Sequence, residues 1–141
     1  MNDKERILLK LQKMNQYLEE LGSMLPPTEQ EYLDDLKVRR ACEKTIEAAI
    51  EEVIDVLSLL VSCFKLGVPT SEDNIIQIIE KKTTMKPVHL TKIKEMKGFR
   101  NILVHKYGEI DDERVYAFLT GEQEDFSLLE REVKAYLKKK K

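Results

Sequence analysis

Ala41-Cys42-Glu43-Lys44-Thr45-Ile46-Glu47-Ala48-Ala49-Ile50-Glu51-Glu52-Val53-Ile54-Asp55-Val56-Leu57-Ser58-Leu59-Leu60-Val61-Ser62-Cys63-Phe64 is the stretch that decides the fold. Cys42, Ile46, Ile50, Val53, Leu57, Leu60 and Phe64 recur in steps of four and three, the spacing of one helix face. Ala49, Val56, Ile54 and Val61 widen that stripe, and a stripe this wide belongs to a central helix touching more than one neighbour. Upstream, Thr28-Glu29-Gln30-Glu31 reads as a capping box, in which the Thr28 hydroxyl accepts from the third amide on and Glu31 reaches back. One long helix is therefore predicted from about Thr28 to about Leu66, stopped by Gly67 and Pro69.

Working outward, helical periods continue on both sides. Ile7, Leu8, Leu11, Met14, Leu18 and Leu21 define a first helix, capped by Asp3 and ended near Ser23 by Gly22 and Pro26-Pro27. Ser71 caps a short helix through Ile75, Ile76, Ile78 and Ile79, and Thr83 to Pro87 breaks the pattern. A further helix begins between Val88 and Thr91 and runs to about Tyr107, where Gly108 can stop it. Asp111 or Asp112 caps a short helix through Val115, Phe118 and Leu119, broken at Thr120-Gly121. Phe126, Leu128, Leu129, Val133 and Leu137 mark a last helix, with a frayed tail from Lys138 to Lys141. No segment alternates in the manner of a strand. The fold class expected is all-α, a bundle of about four main helices plus short ones, in a single domain over residues 1–141.

Composition narrows the function classes. With 141 residues, 42% hydrophobic and 35% charged, the chain can bury a real core and is neither disordered nor membrane-like. The most apolar stretch, Val56 to Phe64, is much too short to span a bilayer, and the charged N-terminus does not read as a signal peptide. A cytoplasmic protein without a membrane partner is expected. Cys42 and Cys63 lie within the helical stripe and read as buried free thiols, which suits a reducing compartment.

The segment Arg100-Asn101-Ile102-Leu103-Val104-His105-Lys106-Tyr107 is the candidate functional centre. Taking Ile93 as origin and ~100° per residue, Met96 falls near ~300°, Leu103 near ~280° and Val104 near ~20°. Arg100 at ~340° and Tyr107 at ~320° fall inside that apolar face, whereas His105 at ~120° and Asn101 at ~80° lie at its edge. An arginine so placed must pair, snorkel or line an interface. Residues 81–107 hold eight basic side chains and one acidic one, a local +7 in a chain of net charge −2. Positive charge thus collects around Arg100 and His105, as attraction of phosphate requires, and Lys92, Lys94, Lys97 and Lys106 form the candidate RNA-binding patch.

The chemistry of such a group is coherent. Cleaving RNA without a metal needs a base to take the 2′-OH proton and an acid to protonate the leaving oxygen, and histidine can serve as either near neutral pH. Arginine can hold phosphate bidentately and stabilise the charge of the transition state. One such histidine per chain falls short of both roles, and a two-fold dimer would bring two copies to one groove. Plainer readings stand beside this one. His105 as a surface or capping residue, Arg100 as a structural ion-pair partner and Tyr107 as a packing ring all fit the same residues.

Arg100-Asn101, the apolar trio Ile102-Leu103-Val104, then His105 and Tyr107 resemble the Arg-x4-His-x-Tyr motif of the HepT branch of the HEPN family. Val38 to Glu51 resembles that family's long helix in its Arg, Glu and Ile/Ala placement. The resemblance implies a helical homodimer with the motif at a cleft between protomers. It implies a metal-independent endoribonuclease, the toxin of a toxin–antitoxin pair, with Arg100 and His105 as the catalytic pair and Asn101 as helper. It implies a minimal nucleotidyltransferase as antitoxin partner, with Tyr107 as the acceptor of AMP. No cofactor is implied.

Two other functions remain open on the residues alone: a catalytically silent dimer that serves as AMP acceptor and binding partner of the nucleotidyltransferase, and a helical oligomer whose Arg100 is fully salt-bridged. Cys42, Cys63, His89 and His105 lack zinc-ligand spacing, so no metal is expected. No Gly-rich phosphate loop occurs. The pairs Asp34-Asp35 and Asp111-Asp112 read as helix-start and surface residues, and His89 as a helix-entry residue.

Overall fold

A computed structural model of the chain describes residues 1–105, 110–121 and 123–139. Among the described residues seven α-helices follow one another: α1 (Asp3–Met24), α2 (Glu29–Asp34), α3 (Leu36–Cys63), α4 (Glu72–Lys82), α5 (Pro87–His105), α6 (Asp112–Gly121) and α7 (Gln123–Lys139). No strand occurs among the described residues. The all-α class expected from the periodicity is the one observed.

The helix starts follow local capping chemistry. Asn2, rather than Asp3, caps α1, its Oδ1 accepting from the Glu5 amide at 2.9 Å. Thr28 Oγ1 accepts from the Glu31 amide at 3.2 Å, as the capping box requires. The helix that starts there does not run on, however. Asp35 takes an extended backbone (φ −120°, ψ 98°), and its Oδ1 accepts from the Val38 amide at 3.1 Å. This second cap splits the expected long helix into α2 and α3. At the other end α3 stops at Cys63, and Lys65 adopts a left-handed φ of 52°. Gly67 follows with φ 158°, where an added Cβ would lie 3.3 Å from Ile78 Cδ1.

α3 is the central helix. Eleven of its residues are buried, and α1, α2, α4, α5 and α6 all pack on it. The largest interface is with α1. There Lys10 pairs with Asp55 (3.0 Å) and Glu52 (3.6 Å), while Lys4 reaches the Phe64 ring, so the two long helices run antiparallel. Ile7, Leu11, Met14 and Leu21 meet Ile46, Ile50, Leu57 and Leu60 in the same core. α7 closes the bundle. Asn15 on α1 donates to Glu130 at 2.9 Å, and Glu132 accepts the Lys86 amide at 2.7 Å and contacts His89. α7 extends through Lys139, so the tail expected to fray from Lys138 is helical at Lys138 and Lys139.

α6 is tied to the α2–α3 elbow. The Tyr116 hydroxyl donates to the Pro26 carbonyl at 2.8 Å, and its ring sits 5.2 Å from that of Tyr32. Arg39 pairs with Asp112 at 3.5 Å and also donates to the Leu33 carbonyl. Cys42 is buried as expected, and burial pushes its thiol up to about 11. Cys63 is only partly buried, which corrects the expectation of two fully buried thiols.

Candidate RNA-cleaving site on helix α5

α5 starts with Pro87 in its first turn, where a missing N–H costs nothing. Its inner face buries Leu90, Ile93, Met96 and Leu103 against the core. Arg100 shares this side, and its side chain is only 11% exposed. The structure answers how a cation is tolerated there. Arg100 Nε donates to Asn101 Oδ1 at 3.1 Å, Nη2 bonds the Glu72 carboxylate of α4, and Nη1 lies 3.8 Å from the Glu51 carboxylate of α3. Three elements thus converge on one guanidinium, and charge-assisted hydrogen bonds offset its desolvation.

The neighbouring cation follows the same pattern. Lys97, one turn earlier, pairs with Asp73 of α4 at 3.1 Å, its side chain 15% exposed. Lys92 faces Glu95 (3.6 Å) and Asp125 of α7 (3.8 Å). Lys94 is exposed. The basic segment is therefore less of an open positive field than its composition suggests: Lys92, Lys97 and Arg100 each meet at least one carboxylate from another helix.

His105 is the last residue of α5 and is exposed. Asn101, four residues earlier, is half-buried. Arg100 turns inward toward α3 and α4 while His105 turns outward, so one protomer presents the two on different sides of the helix. Lys106 and Tyr107, and the expected Gly108 stop, lie outside the described residues.

The outer face of α5 carries a second feature. Phe99 stacks on Phe118 of α6, ring centroids 3.9 Å apart and 9° between planes. Beside this stack runs a groove of about 660 Å³, lined among others by Glu95, Gly98, Ile102, Ile110 and Arg114. Ile102 is 52% exposed at its edge, and a Cβ added at Gly98 would meet nothing within 4 Å. Among the described residues no group of three or more His, Cys, Asp or Glu side chains could hold a metal ion, and no helix is long and apolar enough to cross a membrane.

Sequence reasoning singled out Arg100, Asn101 and His105 as candidates but gave no role to Glu51, Glu72 and Asp73, the carboxylates that surround the cations. Glu72 and Asp73 directly follow the cap Ser71, and acidic residues favour a helix's first turn on their own account. Nothing in that placement signals a partner on another helix.

Comparison with known proteins supplies the family. Residues 14–134 match the family described as Ribonuclease HepT-like. The chain is 25% identical over 130 residues to the tRNA nuclease HepT of Aphanizomenon flos-aquae (strain 2012/KM1/D3), covering 91% of this chain and 87% of that protein. Its fold matches that of a tri-AMPylated Shewanella oneidensis HEPN toxin in complex with MNT antitoxin, with a TM-score of 0.85, 21% identity and coverage of 96% and 99%. It also matches YutE, a cytosolic protein of unknown function from Bacillus subtilis, with a TM-score of 0.80, 19% identity and coverage of 98% and 92%. The match over residues 14–134 spans well over half of the chain, which adopts the all-α HEPN fold and belongs to the HepT-like ribonuclease family.

Proposed function

We propose that this chain is the toxin of a toxin–antitoxin pair: a cytoplasmic, metal-independent endoribonuclease that works as one domain over residues 1–141 and as a homodimer. The observation that carries the reading is the guanidinium of Arg100, nearly buried and oriented by Asn101, on the same helix as an exposed His105. In the cleavage step a base takes the 2′-OH proton and that oxygen attacks the adjacent phosphorus. The bond to the 5′-oxygen breaks, and an acid returns a proton to the leaving oxygen. Arg100 stabilises the charge gathering on the phosphoryl oxygens, and the two His105 side chains of the dimer serve as base and acid. Lys92, Lys94, Lys97 and Lys106 guide the RNA backbone.

The outer face of α5 supports the dimer. A glycine inside a helix costs about 1 kcal/mol relative to alanine, and Gly98 has no neighbour within its own chain that requires it. With the exposed Ile102 one turn on, it offers a gap and a knob for a second copy of α5. The antitoxin is a minimal nucleotidyltransferase that transfers AMP to Tyr107. The added phosphate would compete with RNA for Arg100.

The ion pairs of Arg100 with Glu51 and Glu72 favour a second reading, in which the chain is a silent partner and AMP acceptor of the nucleotidyltransferase. One experiment separates the two: incubation of purified wild type and His105→Ala with RNA, alongside growth on expression without the nucleotidyltransferase. Cleavage and growth arrest are expected for wild type only, with fold and dimer intact in both. Intact RNA and normal growth with wild type would leave the silent-partner reading.

A further inference from the structure

The first turn of α4 covers two neighbouring cations of α5. Glu72 bonds Arg100, and Asp73 pairs with Lys97 at 3.1 Å. Lys97 and Arg100 are three residues apart on α5, so they are neighbours on its surface. Two consecutive carboxylates therefore face two neighbouring cations. Glu51 adds a third carboxylate, 3.8 Å from Arg100. Counting Arg100 and Lys97 against Glu51, Glu72 and Asp73, the cluster is net −1 as it stands, a poor starting point for binding a phosphodiester.

The exposure of these groups shows which can move. The cations are fixed: Lys97 and Arg100 keep 15% and 11% of their side-chain surface. Their partners are not: Asp73 is 75% exposed, Glu51 50% and Glu72 43%. Carboxylates this exposed can turn into water, and incoming phosphates can take their place without leaving the enclosed cations unpaired. The cations, packed against the core side of α5, stay in place when they do.

We propose that Glu72 and Asp73 act as an internal mimic of two consecutive phosphates on one RNA strand, occupying Arg100 and Lys97 until a strand displaces them. This rests on the reading of α5 as the RNA-cleaving helix, and it sharpens that reading. The substrate is a single-stranded stretch whose backbone presents two adjacent phosphates to residues 97 and 100. The acidic turn sets how much affinity such a stretch must bring. It also discriminates by charge, because a single isolated phosphate can replace only one of the two carboxylates.

The test is binding of a fluorescent single-stranded RNA by the full chain carrying His105→Ala, which prevents turnover, followed by anisotropy over a range of salt. Glu72→Gln and Asp73→Asn are expected to tighten binding about two- to fivefold each, the strength of a surface ion pair. The slope of log affinity against log salt should be the same in the double variant, because the strand contacts both cations in either protein, whereas Arg100→Ala should flatten it by about 0.7. Glu19→Gln, the same charge change on the exposed face of α1, is the control and should leave both unchanged. Asp73→Asn alone carries the test if Glu72→Gln weakens α4. Affinity that falls on Arg100→Ala but stays flat or drops on Glu72→Gln and Asp73→Asn overturns the mimic and leaves the RNA site standing. Affinity indifferent to Arg100→Ala overturns the site and the mimic together.

Discussion

Arg100 is oriented by the residue that follows it: its Nε donates to the Asn101 side-chain oxygen across 3.1 Å. Adjacent helical residues normally diverge, so this bond spends the one donor that points away from the fork of terminal nitrogens. The fork itself remains available for bidentate contact once its carboxylates leave. Asn101→Ala should lower the rate of RNA cleavage about tenfold, and Arg100→Ala about a hundredfold or more, the range for loss of a group that stabilises charge. Arg100→Lys should not restore it, because an ammonium lacks the fork. Single-turnover cleavage of a defined RNA checks this, and full activity in Arg100→Lys would remove the guanidinium from the mechanism.

The outer face of α5 gives a prediction about assembly. Ile102→Glu places a charge on the proposed seam while leaving the buried side of the helix untouched. Light scattering should show a monomer whose melting temperature is close to that of the parent chain measured at equal dilution. Dimers that persist in Ile102→Glu would move the interface elsewhere.

Two tyrosines with facing rings make opposite predictions. Tyr116 donates its hydroxyl to the Pro26 carbonyl at 2.8 Å, whereas the Tyr32 hydroxyl is buried and has no hydrogen-bond partner among the described residues. Burial, with Glu43, Cys42 and Asp112 nearby, pushes the Tyr32 phenol far above its ordinary range, so it stays neutral. Tyr116→Phe should cost about 1 kcal/mol, because the Pro26 carbonyl loses its donor. Tyr32→Phe should be neutral or slightly stabilising. Urea melts of the two variants decide it; equal losses would mean that the Tyr32 hydroxyl is satisfied in solution.

Acid should loosen the contact between α1 and α7. Burial alone would raise the Glu130 carboxyl, but the Lys134 ammonium and the Asn15 amide outweigh it and hold the group below its usual value. A carboxyl depressed in the folded state contributes stability above its unfolded pKa and loses it as pH falls through the folded value. The thermal stability gap between wild type and Glu130→Gln should therefore be open at neutral pH and close as pH falls below the ordinary carboxylate range. A gap that does not change with pH would assign the effect to packing.

Much of this could be read from residues alone, and the reasons for the rest are physical. Periodicity located every main helix because apolar spacing is a local property of the chain. The split at Asp35 escaped because the apolar stripe that defines the long helix begins only at Cys42 and does not report on the turns before it. Only the Asp35 side chain, turned back on the Val38 amide, marks the break. Arg100 in an apolar face signalled that something must pair with it. Which groups do so depends on how α3 and α4 dock on α5, a long-range outcome that no spacing rule reports. The exposed Gly98–Ile102 pair was legible as sequence but had no meaning until the groove beside it was visible.

The packing of α1 along α3 has a consequence for where the molecule opens. These two helices pack along most of their length, while α4, α5 and α6 meet their neighbours much less extensively. Amide hydrogens in the α1–α3 pair should exchange last, near the rate of global unfolding, and those of α4 first. The carboxylates of α4 should thus come away from Arg100 and Lys97 well before the α1–α3 pair opens, leaving the cations of α5 uncovered in a molecule that is otherwise folded.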